Sequence, residues 1–186
     1  LYGKHYTIAW PAEEHSSARE IRCSPLYETL QNKGACFVEK MGWERPIWFA
    51  PEGIEPRDIY SFERPNWFEH VAAEHRNARE NVVLIDQSSF GKFEVEGPGA
   101  VEFLNRLCAN QIDQPVGKVV YTQMLNDRGT VECDMTIGRL AADKVLLVVG
   151  TAFGLRVSWW LNEHLPGDGS VSLKEVTSAL AVINVI

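Results

Sequence analysis

The pattern of apolar and polar positions changes twice along the chain of 186 residues. In residues 1–40 it predicts a short strand from Tyr6 to Trp10 and one helix. Ser24 is placed as the N-cap and Pro25 at the first helical position, with the helix running Leu26 to Lys33 and stopping at Gly34. Residues 41–70 differ: Trp43, Trp48, Trp67, Phe49, Phe62 and Phe68 crowd among Pro46, Pro51, Pro56 and Pro65. One phrase recurs there, Glu44-Arg45-Pro46-Ile47-Trp48-Phe49 and Glu63-Arg64-Pro65-Asn66-Trp67-Phe68. Two copies are too few for a solenoid, and aromatic rather than polar character marks a packed connector between domains.

From Glu69 the periodicity is regular. It predicts a helix to about Asn81, a buried strand Val82–Ile85, a turn at Asp86–Ser89, and a strand over 92–96 with Phe93 and Val95 inward. A helix opens at Gly97-Pro98 and carries Val101, Leu104, Leu107 and Cys108 at helical spacing. Val119–Leu125, the turn Asn126–Gly129 and Thr130–Ile137 read as strand, turn, strand. A strand over 144–149, a helix through Trp159, Trp160 and His164, a turn at 166–169 and two strand-like runs follow. The final run, Ser178–Ile186, has the composition of a strand covered on both faces and continued beyond, so a piece of a longer polypeptide is expected. Hairpins with helices between groups of strands define an α+β fold, and neither a GxGxxG cradle nor a P-loop occurs.

Charge and cysteine usage narrow the functional classes. Lys and Arg total 18 against 25 Asp and Glu, a net charge of −7, and no basic stripe offers a nucleic-acid footprint. No run approaches the roughly 18 apolar residues of a membrane span, and the first ten residues do not have the pattern of a signal peptide. Cys23, Cys36, Cys108 and Cys133 stand far apart without zinc-ligand spacing, so no metal site and free thiols in a reducing compartment are expected.

The hairpin at 119–137 is the best candidate site. Along its second strand Val131, Cys133, Met135 and Ile137 fall on one face and Glu132, Asp134 and Thr136 on the other. A two- or four-residue loop places Tyr121 directly opposite Asp134, with Cβ atoms about 4.5–5.5 Å apart, whereas a bulge at Gly129 pairs Tyr121 with Met135. An aromatic ring beside a carboxylate suits a flat nitrogen heterocycle. The same alternation also describes the solvated face of a half-buried sheet. Other candidates are weaker. His5, His15, His70, His75 and His164 are scattered, Ser88 and Ser89 lack a nearby base, and Asp86 is a turn-former. Trp159-Trp160 reads as core and interface packing.

Several strings resemble known proteins. Tyr121-Thr122-Gln123-Met124-Leu125-Asn126-Asp127-Arg128-Gly129 with Asp134, Asp86-Gln87-Ser88-Ser89-Phe90-Gly91-Lys92 and Val95-Glu96-Gly97-Pro98 resemble the folate-binding module of the glycine-cleavage aminomethyltransferase. Leu1-Tyr2-Gly3-Lys4-His5-Tyr6, Trp10-Pro11-Ala12-Glu13-Glu14, Gly42-Trp43-Glu44-Arg45-Pro46 and Arg64-Pro65-Asn66-Trp67-Phe68 resemble the junction in the dimethylglycine and sarcosine dehydrogenase family. There an FAD-dependent amine-oxidising region is fused to a folate-binding region. The resemblance implies that residues 1–68 close the oxidising region and connector, and that 69–186 open the folate-binding domain. It implies that FAD, bound before this segment, oxidises an N-methyl amine to an iminium. Tetrahydrofolate then takes the carbon as 5,10-methylenetetrahydrofolate, with oxygen or an electron-transfer flavoprotein as electron acceptor. Asp134 matches the essential folate-site aspartate and Tyr121 an aromatic contact, with Thr136 and Phe90 at further wall positions. Gly150-Thr151 stands where the aminomethyltransferases commonly carry Asn, which fits the dehydrogenase branch. The bacterial cytoplasm or the mitochondrial matrix is the compartment implied. A non-catalytic folate-binding or assembly module and a stand-alone aminomethyltransferase relative are the alternatives.

Overall fold

A computed structural model describes Gly3, Tyr6 and residues 8–186. In chain order its elements are α1 (Tyr27–Asn32), β1 (Ala35–Lys40), β2 (Trp43–Phe49), α2 (Phe68–Glu80), β3 (Leu84–Asp86), β4 (Gly91–Glu96) and α3 (Ala100–Leu107). Then come β5 (Val119–Leu125), β6 (Val131–Ala141), β7 (Lys144–Val149), α4 (Gly154–His164), β8 (Ser172–Glu175) and β9 (Ile183–Val185). They form two compact units, one of residues 1–86 with 183–186 and one of 87–182. Helix α2 lies in the first unit.

The first unit holds the β1–β2 hairpin, where the aromatic stretch had predicted a connector. Trp48, Cys36 and Ala50 are buried there with Trp67 and Val71 packed against them, and Trp48 stacks on His70 at 5.5 Å. Pro46 hides the strand from a sequence reading, since proline removes a ladder donor. The chain accommodates it beside a bulge, with Phe37 opposite Pro46 and Cys36 opposite Trp48. The two copies of the recurring phrase therefore differ: the first is β2 and the second is the entry to α2.

Leu1, Tyr2, Lys4, His5 and Thr7 lie outside the described residues, and Ile8, Ala9 and Trp10 are irregular rather than the strand expected there. Helix α1 starts two residues later than expected because Ser24 Oγ is engaged in the turn before it, accepting the Leu26 N–H at 3.1 Å and donating to Asp86. Gly34, at φ +82°, ends the turn as expected. At 82–86, where a buried strand was expected, β3 pairs with β9 alone among the described residues, and Leu84 is 71% exposed, with Val185 and Ile186 also exposed. A two-stranded ribbon covers neither face, so the apolar composition that predicted burial is unmet within the described residues.

The second unit is an antiparallel five-stranded sheet of order β5-β6-β7-β4-β8 with α3 and α4 packed on one face. Phe93 and Val95 point inward as expected, joined by Cys133, Met135, Ile137, Val145, Leu147 and Val149 from the neighbouring strands. Helix α3 supplies Ala100, Phe103, Leu104 and Leu107, so Val101 and Cys108 of the predicted stripe lie at its margin. Leu161 and Val157 of α4 are buried, Trp160 packs against the core, and Trp159 is exposed. Gly97, at φ +130°, turns β4 into α3 against the Ser170 carbonyl. The opposite sheet face is open along β5 and β6.

Candidate functional site

The open face derives from the alternation of β5 and β6, corrected by one irregularity. Tyr121 lies opposite Thr136, and Gln123 opposite Asp134. Neither expected register is found, neither Tyr121 against Asp134 nor Tyr121 against Met135. Five residues, 126–130, separate the strands, and Glu132 is an extra residue, since Met124 pairs with Cys133 while Leu125 pairs with Val131. The bulge sits at Glu132, three residues after Gly129. It also turns Val131 outward, 61% exposed, although strict alternation placed it with Cys133 and Met135 on the buried face.

The shifted register still unites the two expected residues. Tyr121 and Asp134 are diagonal neighbours on one face, and the Tyr121 hydroxyl donates to Asp134 Oδ2 at 2.9 Å. Both side chains are exposed, Tyr121 by 59%, so ring and carboxylate are presented outward. The bond to Asp134 and the carboxylate's charge hold the Tyr121 phenol above its ordinary pKa. Thr136 shares the face and is exposed. Phe90 is set apart. The ladder row Gly91–Val149–Met135–Thr122 crosses the sheet, and Phe90 precedes that row at the same end, two strands away from β6.

Side chains that no sequence spacing had marked fix this arrangement. Asn110 Nδ2 donates to the Tyr121 carbonyl at 2.7 Å and the Asn110 N–H donates to Thr122 Oγ1 at 3.0 Å, which anchors β5 from outside the sheet. Glu132 accepts from Asn126 Nδ2 at 2.7 Å and from Arg156 Nε at 3.1 Å, with the Arg156 Nη2 group on the same oxygen. Arg156 and then Asn126 pull the Glu132 carboxyl below its ordinary pKa. The signal for Asn126 was its turn position; Arg156 lies 24 residues from Glu132 and left none.

All four cysteine thiols are held above their ordinary pKa, with burial the largest cause. Burial pushes Cys108 and Cys133 up to about 12 and Cys36 up to about 11, and it raises the exposed Cys23 as well. Among the described residues no group of His, Cys, Asp and Glu is placed to hold a metal ion, and no helix is long and apolar enough to cross a membrane.

The antiparallel sheet thus carries two helices on one face and an exposed phenol–carboxylate pair on the other. The solved aminomethyltransferase T of the glycine cleavage system from Bartonella henselae superposes with a TM-score of 0.67 at 23% identity, over 89% of this chain and 40% of that one. The model of the family described as the GCVT N-terminal domain matches residues 26–186, and the chain belongs to that family. Among curated relatives, the 4-methylaminobutanoate oxidase (formaldehyde-forming) of Paenarthrobacter nicotinovorans is 41% identical over 99% of this chain and 22% of its own length. The mitochondrial pyruvate dehydrogenase phosphatase regulatory subunit of Mus musculus is 37% identical over 97% of the chain and 21% of its own length. The mitochondrial dimethylglycine dehydrogenase of Rattus norvegicus is 33% identical over 99% of the chain and 22% of its own length. The chain thus spans about a fifth of the relatives it matches.

Proposed function

We propose that the chain is part of a flavin-dependent enzyme that oxidises an N-methyl amino acid, and that its sheet face binds tetrahydrofolate and captures the released carbon as 5,10-methylenetetrahydrofolate. In this reading residues 1–68 close the amine-oxidising region and 69–186 open the folate-binding one. FAD belongs to residues outside this chain, which has no glycine-rich dinucleotide cradle, and supplies the two-electron oxidation of the amine. Oxygen and an electron-transfer flavoprotein are the two candidate acceptors in this reading, in keeping with relatives named as an oxidase and as a dehydrogenase. The same names widen the amine class from N-methylglycines to 4-methylaminobutanoate.

The observation that carries the reading is the Tyr121–Asp134 hydrogen bond on an outward face. A carboxylate accepts at both oxygens; Tyr121 takes Oδ2, which leaves Oδ1 for an N–H of the pterin ring. Capture replaces two folate N–H bonds with two N–C bonds. One proton leaves with the released amine, and Asp134 accepts the other as the bond forms. Positioning contributes more than the proton transfer, because iminium and folate otherwise meet bimolecularly. The Tyr121 ring offers a stacking surface, and Thr136 and Phe90 are proposed as wall contacts.

In the full-length protein, Asp134→Ala is expected to abolish methylenetetrahydrofolate formation while reduction of the flavin by the amine persists and the carbon appears as formaldehyde. Equal loss of flavin reduction would remove Asp134 from the folate step. A second reading, a non-catalytic assembly module, is favoured by the relative named as a phosphatase regulatory subunit. It predicts that the intact protein binds tetrahydrofolate while no amine reduces its flavin.

A further inference from the structure

The bulge at Glu132 decides which face Asp134 occupies. With Leu125 opposite Val131 and no extra residue in β6, Thr122 would pair with Asp134 and Tyr121 with Met135. Thr122 and Met135 both point into the core, Thr122 with no exposed surface and Met135 at 2%. A bulge-free hairpin would therefore place the phenol and the carboxylate on opposite faces, burying one of them. The extra residue brings both onto the open face. What holds that residue is a three-membered cluster: Asn126 from the loop and Arg156 from the first turn of α4 both donate to the Glu132 carboxylate.

We propose that Arg156, acting through Glu132 and Asn126, is a positioning residue that pins the β6 bulge and so sets the hairpin register in which Tyr121 and Asp134 form one folate-binding pair. The proposal rests on the folate reading of that pair. Two features of the cluster suit it to this task. The Glu132 side chain is only 10% exposed although it sits beside an open loop, so its two donors replace most of its hydration. The Arg156 guanidinium is itself held, 5.2 Å over the Trp159 ring one turn along the helix, which limits the orientations it can adopt. Helix α4 packs on the core through Val157 and Leu161, so the pin ties a loop to an element anchored in the core.

The test compares variants of the full-length enzyme by steady-state formation of methylenetetrahydrofolate and by flavin reduction with the amine. Arg156→Met is expected to raise KM for tetrahydrofolate roughly tenfold to a hundredfold, the scale on which a small misplacement of a binding group acts. The kcat at saturating folate should fall by less, and flavin reduction should match the wild type. Arg156→Lys, which keeps one charged donor, should recover most of the loss. A cross-strand disulfide from Val119→Cys with Gly138→Cys, which face each other in the observed register, should restore KM in the Arg156→Met background. An unchanged KM in Arg156→Met, or a lowered kcat at unchanged KM, as a partly unfolded preparation gives, overturns the pin. So does a formed disulfide that fails to restore KM. Asp134→Asn, measured alongside, separates the two claims: product formation that survives it refutes the folate reading itself, whereas its loss beside a normal Arg156→Met refutes only the pin.

Discussion

Glu44 offers the sharpest perturbation of the first unit. Its side chain is 1% exposed, and its Oε1 accepts from Arg19 Nε at 2.8 Å and from the Glu20 N–H at 2.7 Å, while Oε2 takes the Arg19 Nη2 group. Arg19 also donates to the Phe37 carbonyl of β1 at 3.0 Å. One carboxylate thus ties the irregular segment around Arg19 to the β1–β2 hairpin. That segment carries strain of its own, because Ala18 and Glu20 adopt φ of +59° and +58°. Glu44→Gln keeps the shape and removes the charge. Breaking a buried ion pair costs about 3–5 kcal/mol, and the Arg19 head, 30% exposed, recovers part of its hydration, so a loss of about 2–3 kcal/mol is expected. The pH dependence has a definite sign. Arg19 holds the Glu44 carboxyl below the ordinary carboxylate value, so the contribution is complete above that value and disappears as pH falls through the depressed one. Urea unfolding followed by the fluorescence of Trp43 and Trp48 should show the full gap near neutral pH and a shrinking gap in acid. A gap below about 0.5 kcal/mol at neutral pH, the level of an exposed pair, would refute the reasoning, as would one that persists undiminished in acid.

Two further outcomes follow from the second unit. Gly97→Ala, at φ +130° and with its added Cβ driven onto the Ser170 carbonyl oxygen, should destabilise by at least the ~1–3 kcal/mol of a strained backbone conformation; denaturation at wild-type stability would contradict the turn geometry. Asp134→Asn should lower the Tyr121 phenol toward its ordinary value, since the carboxylate raises it. Difference ultraviolet titration against Tyr121→Phe reads this directly, and an unmoved transition would show that the two side chains do not share a bond in solution.

The α+β class, the strands of the second unit and the inward positions Phe93 and Val95 were legible because period-two alternation survives wherever one sheet face is covered. The β1–β2 hairpin was hidden by Pro46, whose missing donor argues against a strand unless a bulge accommodates it. Apolar composition at 82–86 and 183–186 was read as burial, but composition reports what a segment can cover and not what covers it. At the site, Asp134, Tyr121 and Thr136 were all marked on one face, yet their register was wrong. Register depends on a bulge at Glu132 that is held by Arg156, and a contact over 24 residues leaves no local periodicity.

The most direct measurement of the central claim is the equilibrium affinity of the full-length protein for tetrahydrofolate, wild type against Tyr121→Ala and Asp134→Ala, read by isothermal titration without amine present. The expected result is that each variant weakens binding by roughly tenfold or more, the scale of one lost charge-assisted bond or one lost stacking ring. Affinities equal to the wild type in both would contradict it and return the hairpin face to ordinary solvated sheet.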